Sequence, residues 1–150
     1  MKAKPTQNDL LSIDAGYVLS DQIGYLLRLA NQRHLEIFHR HLPELTPTQF
    51  SLLATLFVRQ DASQNELGRL IGIDAATTNG VVDRLLKKQL IMSRIDPDDK
   101  RRLRVSLTDA GKQLVENSIP IAKHITSDTL DPLTHRESRR LLQLLKKLLP

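Results

Sequence analysis

One change of rhythm constrains this chain more than any other feature. Along most of its length apolar residues recur at three- and four-residue intervals, the pattern of helices packed on one face. Between residues 91 and 107 the period drops to two. Ile91, Ser93 and Ile95 share one face of a short strand, and Leu103, Val105 and Leu107 share one face of another. They are joined by Asp96-Pro97-Asp98-Asp99-Lys100-Arg101-Arg102, a polar and turn-rich tip. A single charged hairpin set in an otherwise helical chain excludes sandwiches and barrels, which need many strands. The fold class expected is mainly α with a small β-hairpin.

The helices are marked by their starts. Thr46-Pro47-Thr48-Gln49, Ser63-Gln64-Asn65-Glu66 and Thr134-His135-Arg136-Glu137 each place a hydroxyl three residues before a Glu or Gln, the reciprocal cap that satisfies amides at a helix N-terminus. A long first helix is expected over 16–42, ended by Pro43, and a second runs from the Thr46 cap to near Gln60 with Phe50, Leu53, Ala54 and Phe57 as its apolar stripe. A short third helix opens at Ser63 and breaks at Gly72. Asp74 caps a fourth that runs through Gln89, with Val81, Val82, Leu85 and Leu86 on one face. After the hairpin, Thr108 caps a fifth helix to about Thr129, with Pro120 expected to kink or divide it, and the leucine-rich segment after Thr134 forms the last. Two short helices across a glycine turn make a helix-turn-helix, and a charged hairpin following it makes a wing. The reading is one domain over 1–150. A winged helix-turn-helix lobe occupies 46–108, and flanking helices over 16–45 and 109–150 are too apolar to stand alone and pair with a second copy.

Composition narrows the function. The 150 residues include no Cys and only 3 % aromatics, which removes disulfides, thiolate metal sites and cysteine redox sensing. Residues 1–10 are polar, without the apolar segment of a signal peptide, and no apolar run approaches the ~20 residues of a membrane span. A cytoplasmic protein with no membrane partner is expected. The net charge of +5 is concentrated: residues 84–104 hold eight bases against three acids, a local excess equal to that of the whole chain. Such a patch suits a polyanion. No nucleophile elbow, phosphate-cradling glycine loop, dinucleotide fingerprint or paired acids occurs, so an enzyme is not expected.

The fourth helix has the composition of a DNA-reading element. Ala75, Ala76, Thr77, Thr78 and Asn79 keep its first turns small, so the backbone can approach base edges. Asn79 suits adenine, alanine methyls suit thymine, and Arg84 one turn on can reach phosphate or guanine. Lys100, Arg101 and Arg102 at the hairpin tip suit a narrow minor groove, and Asp96, Asp98 or Asp99 can pair with Arg94 or Arg102 to hold the tip in shape.

The stretch 63–111, SQNELGRLIGIDAATTNGVVDRLLKKQLIMSRIDPDDKRRLRVSLTDAG, resembles the winged-helix core of the MarR family of bacterial transcriptional regulators, through VVDRL, the wing DPDDKRR and LTDAG. YLLRLANQRH, LTPTQFSLL and SQNELGRL resemble, more narrowly, regulators of aromatic-acid and nicotinate catabolism. The resemblance implies a homodimer with interlocked terminal helices. Each lobe would take half of a pseudo-palindromic double-stranded operator, usually to repress, and a small aromatic carboxylate or phenol would release it. It places Thr77, Thr78 and Asn79 on bases, Arg101 at the wing tip, and Asp99 and Arg94 as braces. Gly80 departs from the family's frequent Arg, and Gln89 from its usual Gly.

For an aromatic acid, the resemblance implies a pocket between the dimerisation helices and the lobe. The basic side chains Arg28, Arg33, His34 and His41 then become candidate contacts, with Phe38, Phe50 and Leu53 as walls. A metal is not expected: His34 and His41 are seven residues apart, His39 and His41 two apart, and only Glu36 is an acid nearby. No cofactor is expected. The competing function is an architectural winged helix that binds DNA without sequence preference.

Overall fold

The computed structural model describes residues 11–14 and 16–150; the polar stretch 1–10 discussed above lies outside the described residues. Among the described residues there are six α-helices and five short strands. The first helix, α1 (Ile23–His41), begins later than the periodicity suggests. Ahead of it, strands β1 (Ser12–Asp14) and β2 (Tyr17–Val18) pair antiparallel, and Leu19–Asp21 form a 3-10 turn. The Leu19 amide donates to the Leu11 carbonyl at 2.9 Å. That bond commits residues 16–19 to a hairpin, so the helix waits for Gln22, which caps it with extended backbone.

The three capping boxes form as their spacing requires. In α2 (Pro47–Arg59) the Gln49 amide donates to Thr46 Oγ1 and the Thr46 amide to Gln49 Oε1, both at 3.2 Å. The inner face of α2 is rotated slightly from the expected stripe. Leu52, Leu53 and Leu56 are fully buried, while Phe50 and Phe57 flank them. Next comes a strand that periodicity did not reveal, β3 (Asp61–Ser63), and then α3 (Gln64–Ile71), closed by Gly72 in the left-handed conformation at φ 73°. Helix α4 (Ala75–Lys87) starts at the Asp74 cap and stops two residues short of Gln89. Gln89 itself is left-handed at φ 58°, a conformation costly for any side chain but glycine.

Strands β4 (Ile91–Ile95) and β5 (Leu103–Leu107) form the expected hairpin, antiparallel with Ile91 opposite Leu107 and Ser93 opposite Val105. β3 adds to the far edge of β5, giving the order β3-β5-β4. Helix α5 (Asp109–Leu130) is not divided by Pro120. The ring sits on the exposed side, whereas Val115 and Ile125, before and after it, are almost wholly buried. Burying two such side chains, at roughly 1.5–3 kcal/mol each, outweighs the ~3 kcal/mol of a proline inside a helix. Helix α6 (His135–Leu148) ends the fold and has no buried residue.

Two glycines set close approaches. A Cβ on Gly68 of α3 would lie 2.6 Å from Thr78 Oγ1, so α3 and α4 pack backbone to side chain. A Cβ on Gly111 would strike the Leu90 carbonyl, so the start of α5 is pressed against the segment entering β4. The core gathers the end of α1 (Ile37, Phe38), the leucines of α2, Leu67, the inner face of α4, and Val105 and Leu107 of the sheet.

Candidate nucleic-acid interface

The N-terminal turn of α4 is displayed as the sequence suggests, with one correction. Ala75, Ala76, Thr77 and Asn79 are exposed. Thr78 is not: it is 1 % exposed, and its Oγ1 donates to the Asp74 carbonyl at 2.8 Å against Gly68. It therefore packs the helix-turn-helix and is unavailable to a base. The spacing Thr78, Val81, Val82, Leu85 is itself a core stripe, a signal masked by the polar hydroxyl. Asp74 accepts from the Thr77 amide at 2.7 Å and from Thr77 Oγ1 at 2.9 Å. Those bonds, the amide first, hold its carboxyl below the usual carboxylate range. Thr77 Oγ1 thus spends its proton on Asp74, and its two lone pairs are left as acceptors. Arg84 is exposed one turn further, its guanidinium beside Gly80.

The wing is organised by two acids of different standing. At the tip, Asp99 Oδ1 accepts from the Arg101 amide at 3.0 Å and lies 3.4 Å from Arg101 Nε, while its Oδ2 is 3.3 Å from Arg102 Nε. Those side-chain contacts are long, and the Arg101 and Arg102 side chains stay 92 % and 70 % exposed. Pairs of this kind are worth about 0–1 kcal/mol, so both guanidiniums can exchange Asp99 for phosphate. Lys100 is also exposed. Of the three acids expected to pair with Arg94 or Arg102, Asp99 does so, with Arg102; Asp96 is buried, accepts from the Asp98 amide at 2.9 Å to shape the turn, and lies 3.7 Å from Arg104 Nη1.

Arg94 instead reaches Asp61 Oδ2 at 2.6 Å, and Arg104 holds Asp61 Oδ1 at 2.5 Å. Asp61 lies on β3, so the brace of the wing comes from the strand that the sequence did not disclose. Arg104's hydrogen bond first, and Arg94's second, lower the Asp61 pKa to about 2. The same contact raises that of Arg104. Arg101 and Arg102 also share a polar cleft with Gln64, Asn65 and Arg69 of α3. These three polar side chains border the wing cations, and sequence reasoning passed them over.

The seven residues proposed for an aromatic acid fall into separate sets of contacts, with His34, Phe38 and Phe50 adjoining one another. Arg33 Nη2 donates to the Asp128 carbonyl at 3.0 Å, His34 Nδ1 and Thr129 Oγ1 are 3.0 Å apart, and His41 Nε2 and Asp128 Oδ2 are 2.9 Å apart. All three therefore fasten α1 to the end of α5. Arg28 lies over the Tyr25 ring, 5.4 Å from its centroid. Phe38 and Phe50 meet edge to face at 6.3 Å, and Phe38 borders a cavity beside Leu35, Leu45 and Pro47. A larger cavity of about 640 Å³ lies between Glu44–Leu45, Lys88, Leu90 and the first turns of α5. Its walls include Ala110 and Leu114, with Gln113, Asn117 and the Lys88 ammonium as polar groups. Lys88 Nζ donates to the Glu44 carbonyl at 2.5 Å. Lys88 was read only as part of the basic patch, and its distance from residues 109–117 in sequence hid this cavity.

A helix-turn-helix with a small exposed reading turn, followed by a basic hairpin braced on a third strand, defines a winged helix-turn-helix DNA-binding protein. Residues 45–103 match the MarR family model. The HTH-type transcriptional repressor NicR of Pseudomonas putida is 35 % identical over 99 % of this chain and 96 % of its own length. A structure of Bordetella bronchiseptica BpsR, concerned with regulation of its DNA binding by 6-hydroxynicotinic acid, is 38 % identical with a TM-score of 0.85, over 89 % of this chain and 97 % of that one. A mutant of E. coli MarR complexed with operator DNA is 26 % identical with a TM-score of 0.80, over 89 % and 100 %. The chain belongs to the MarR family: it is a DNA-binding transcriptional regulator and not an enzyme. No helix among the described residues is long and apolar enough to cross a membrane.

Proposed function

We propose that the protein acts in the cytoplasm as a homodimeric repressor of a pseudo-palindromic operator, released by a small aromatic carboxylate. The observation that carries the DNA reading is the joint display, on one lobe over 46–108, of the α4 turn (Ala75, Ala76, Thr77, Asn79, with Arg84) and the wing cations Lys100, Arg101 and Arg102. The first set reads base edges in the major groove, and the second reads the adjoining minor groove and backbone. The leucines of α6 support the dimer: Leu141, Leu142, Leu144 and Leu148 are 38–67 % exposed, an apolar face that water does not stabilise and a second copy covers.

The effector follows from chemistry and from kinship. The cavity beside Lys88 has the size of a ligand pocket, apolar walls in Leu45, Leu90, Ala110 and Leu114, and Lys88 as its cation beside the acids Glu44 and Asp109, and the DNA binding of BpsR is regulated by 6-hydroxynicotinic acid. The ring of such an acid fits against Leu90 and Leu114, with its carboxylate drawing Lys88 away from Glu44. Because Lys88 caps the C-terminal end of α4, that exchange bears directly on the reading helix.

Selection of sites from random duplex DNA, followed by titration of the selected duplex with hydroxylated aromatic acids, tests the reading. A two-fold symmetric motif with half-sites about one helical turn apart, released by the acid in wild type but not in Lys88→Ala, supports it. Salt-sensitive binding with no enriched motif would replace it by the architectural reading. Release that survives Lys88→Ala but fails in Arg33→Ala would return the effector to the α1 cations.

A further inference from the structure

The contact between α1 and the end of α5 brings together three groups that lie far apart in sequence. His41 ends α1. His124 and Asp128 are four residues apart on α5, the spacing that puts two side chains on one helix face. Asp128 Oδ2 is 2.9 Å from His41 Nε2 and 3.7 Å from His124 Nε2, and the three donor atoms lie within 4.8 Å of one another. The two imidazole rings stand nearly perpendicular, at 86°, with centroids 5.1 Å apart. Neither DNA binding nor the cavity beside Lys88 uses these residues.

We propose that His41, His124 and Asp128 form a binding site for a divalent transition ion of the zinc type. Two neutral imidazoles and one carboxylate are the donor set such ions prefer, and three protein ligands leave one position for water or an anion. Metal–ligand bonds of about 2.0–2.2 Å in a tetrahedron put donor atoms roughly 3.3–3.6 Å apart. The 3.7 Å separation is about 0.1 Å beyond that range, the 2.9 Å hydrogen bond must open by about half an ångström, and the donor atoms of the two imidazoles already lie within 4.8 Å of each other. His41 and Asp128 are partly buried and His124 is 63 % exposed, so the site is fixed on its inner side and open to ion entry on the outer. Arg33 and Arg40 border the neighbouring cavity with Asp128. Glu36 and Asp131 line the same cavity, so the charge of the two arginines is matched by acids beside the site. A bound ion would replace one hydrogen bond by a bridge between the two helices. The assignment is independent of the operator and of the aromatic acid.

The test uses tag-free full-length protein stripped with chelator and then titrated with Zn²⁺ alone, in competition with a chromophoric chelator. We expect one equivalent per chain, a rise in melting temperature with added Zn²⁺, and weaker binding of Mn²⁺. His124→Ala alters an exposed side chain and so keeps the fold, which circular dichroism checks. It and Asp128→Asn should each weaken binding by at least about tenfold, whereas His39→Ala and His34→Ala should not. Absence of stoichiometric binding, or binding undiminished in a folded His124→Ala protein, overturns the proposal and leaves the cluster as an ion pair.

Discussion

The DNA-binding lobe and the terminal helices solve the same problem differently. In the lobe, Leu52, Leu53, Leu56, Leu67 and Leu85 are at most 1 % exposed, and every helix starts on a side-chain cap. In α1, Ile23, Leu26 and Leu27 are 44–63 % exposed, and α6 buries nothing despite being rich in leucine. The same residue type is thus a finished core in one region and an open face in the other. A lobe that closes on itself can move as a unit, while helices that need a partner tie that motion to assembly.

Breaking the two regions in parallel gives the largest effect. Leu53→Ala should cost about 2–5 kcal/mol of stability, read by urea unfolding at any protein concentration. Leu144→Ala should cost little within one chain. It should instead weaken self-association, seen as stability that depends on concentration and as a shift toward monomer in sedimentation. Equal, concentration-independent losses would erase the distinction.

Within the lobe, the reading turn and the wing separate by the kind of binding they lose. Asn79→Ala should cost about 1–3 kcal/mol and change the preferred base at one operator position. Arg101→Ala should weaken binding across sequences and lower its salt dependence. If both variants lost affinity uniformly, the assignment of α4 to the major groove would fail.

A smaller effect tests the brace. Asp61→Asn should destabilise by about 1 kcal/mol near neutral pH, since the Arg104 bond is half-buried and the Arg94 bond is exposed. The Asp61 carboxyl titrates lower folded than unfolded, at about 2 against 3.8. Its contribution is therefore complete above about pH 4 and is lost as the pH falls toward 2. The difference between wild type and variant, followed by urea unfolding, should vanish over that interval. Smallest of all, Gln89→Gly should raise stability by about 0.5–1 kcal/mol. It relieves a left-handed residue at φ 58° and gives back part of that gain as unfolded-chain entropy.

What was legible in the sequence was local. The boxes at Thr46, Ser63 and Thr134 are written in four residues each, and the wing is written in an alternation five residues long on each side of its tip. Features set by distant partners were hidden. β3 has a single apolar residue, Ala62, and exists because β5 offers it an edge. The late start of α1 depends on a bond from Leu19 back to Leu11. Arg33, His34 and His41 carry the right charge for a ligand, but only the packing shows that α5 already holds them. His124 and Asp128 stand 83 and 87 positions beyond His41, a separation across which residue spacing carries no information.

Gly111 gives the molecule a mechanical property. Because no side chain fits between it and the Leu90 carbonyl, α5 meets the reading lobe at a joint without slack. Its 22 residues make a lever arm of about 33 Å. A tilt of roughly 5° at that joint sweeps the opposite end by about 3 Å, on the scale of one base-pair step. In the proposed dimer, small rearrangements where α5 meets α1 would be geared up into a change in the spacing of two reading heads on DNA.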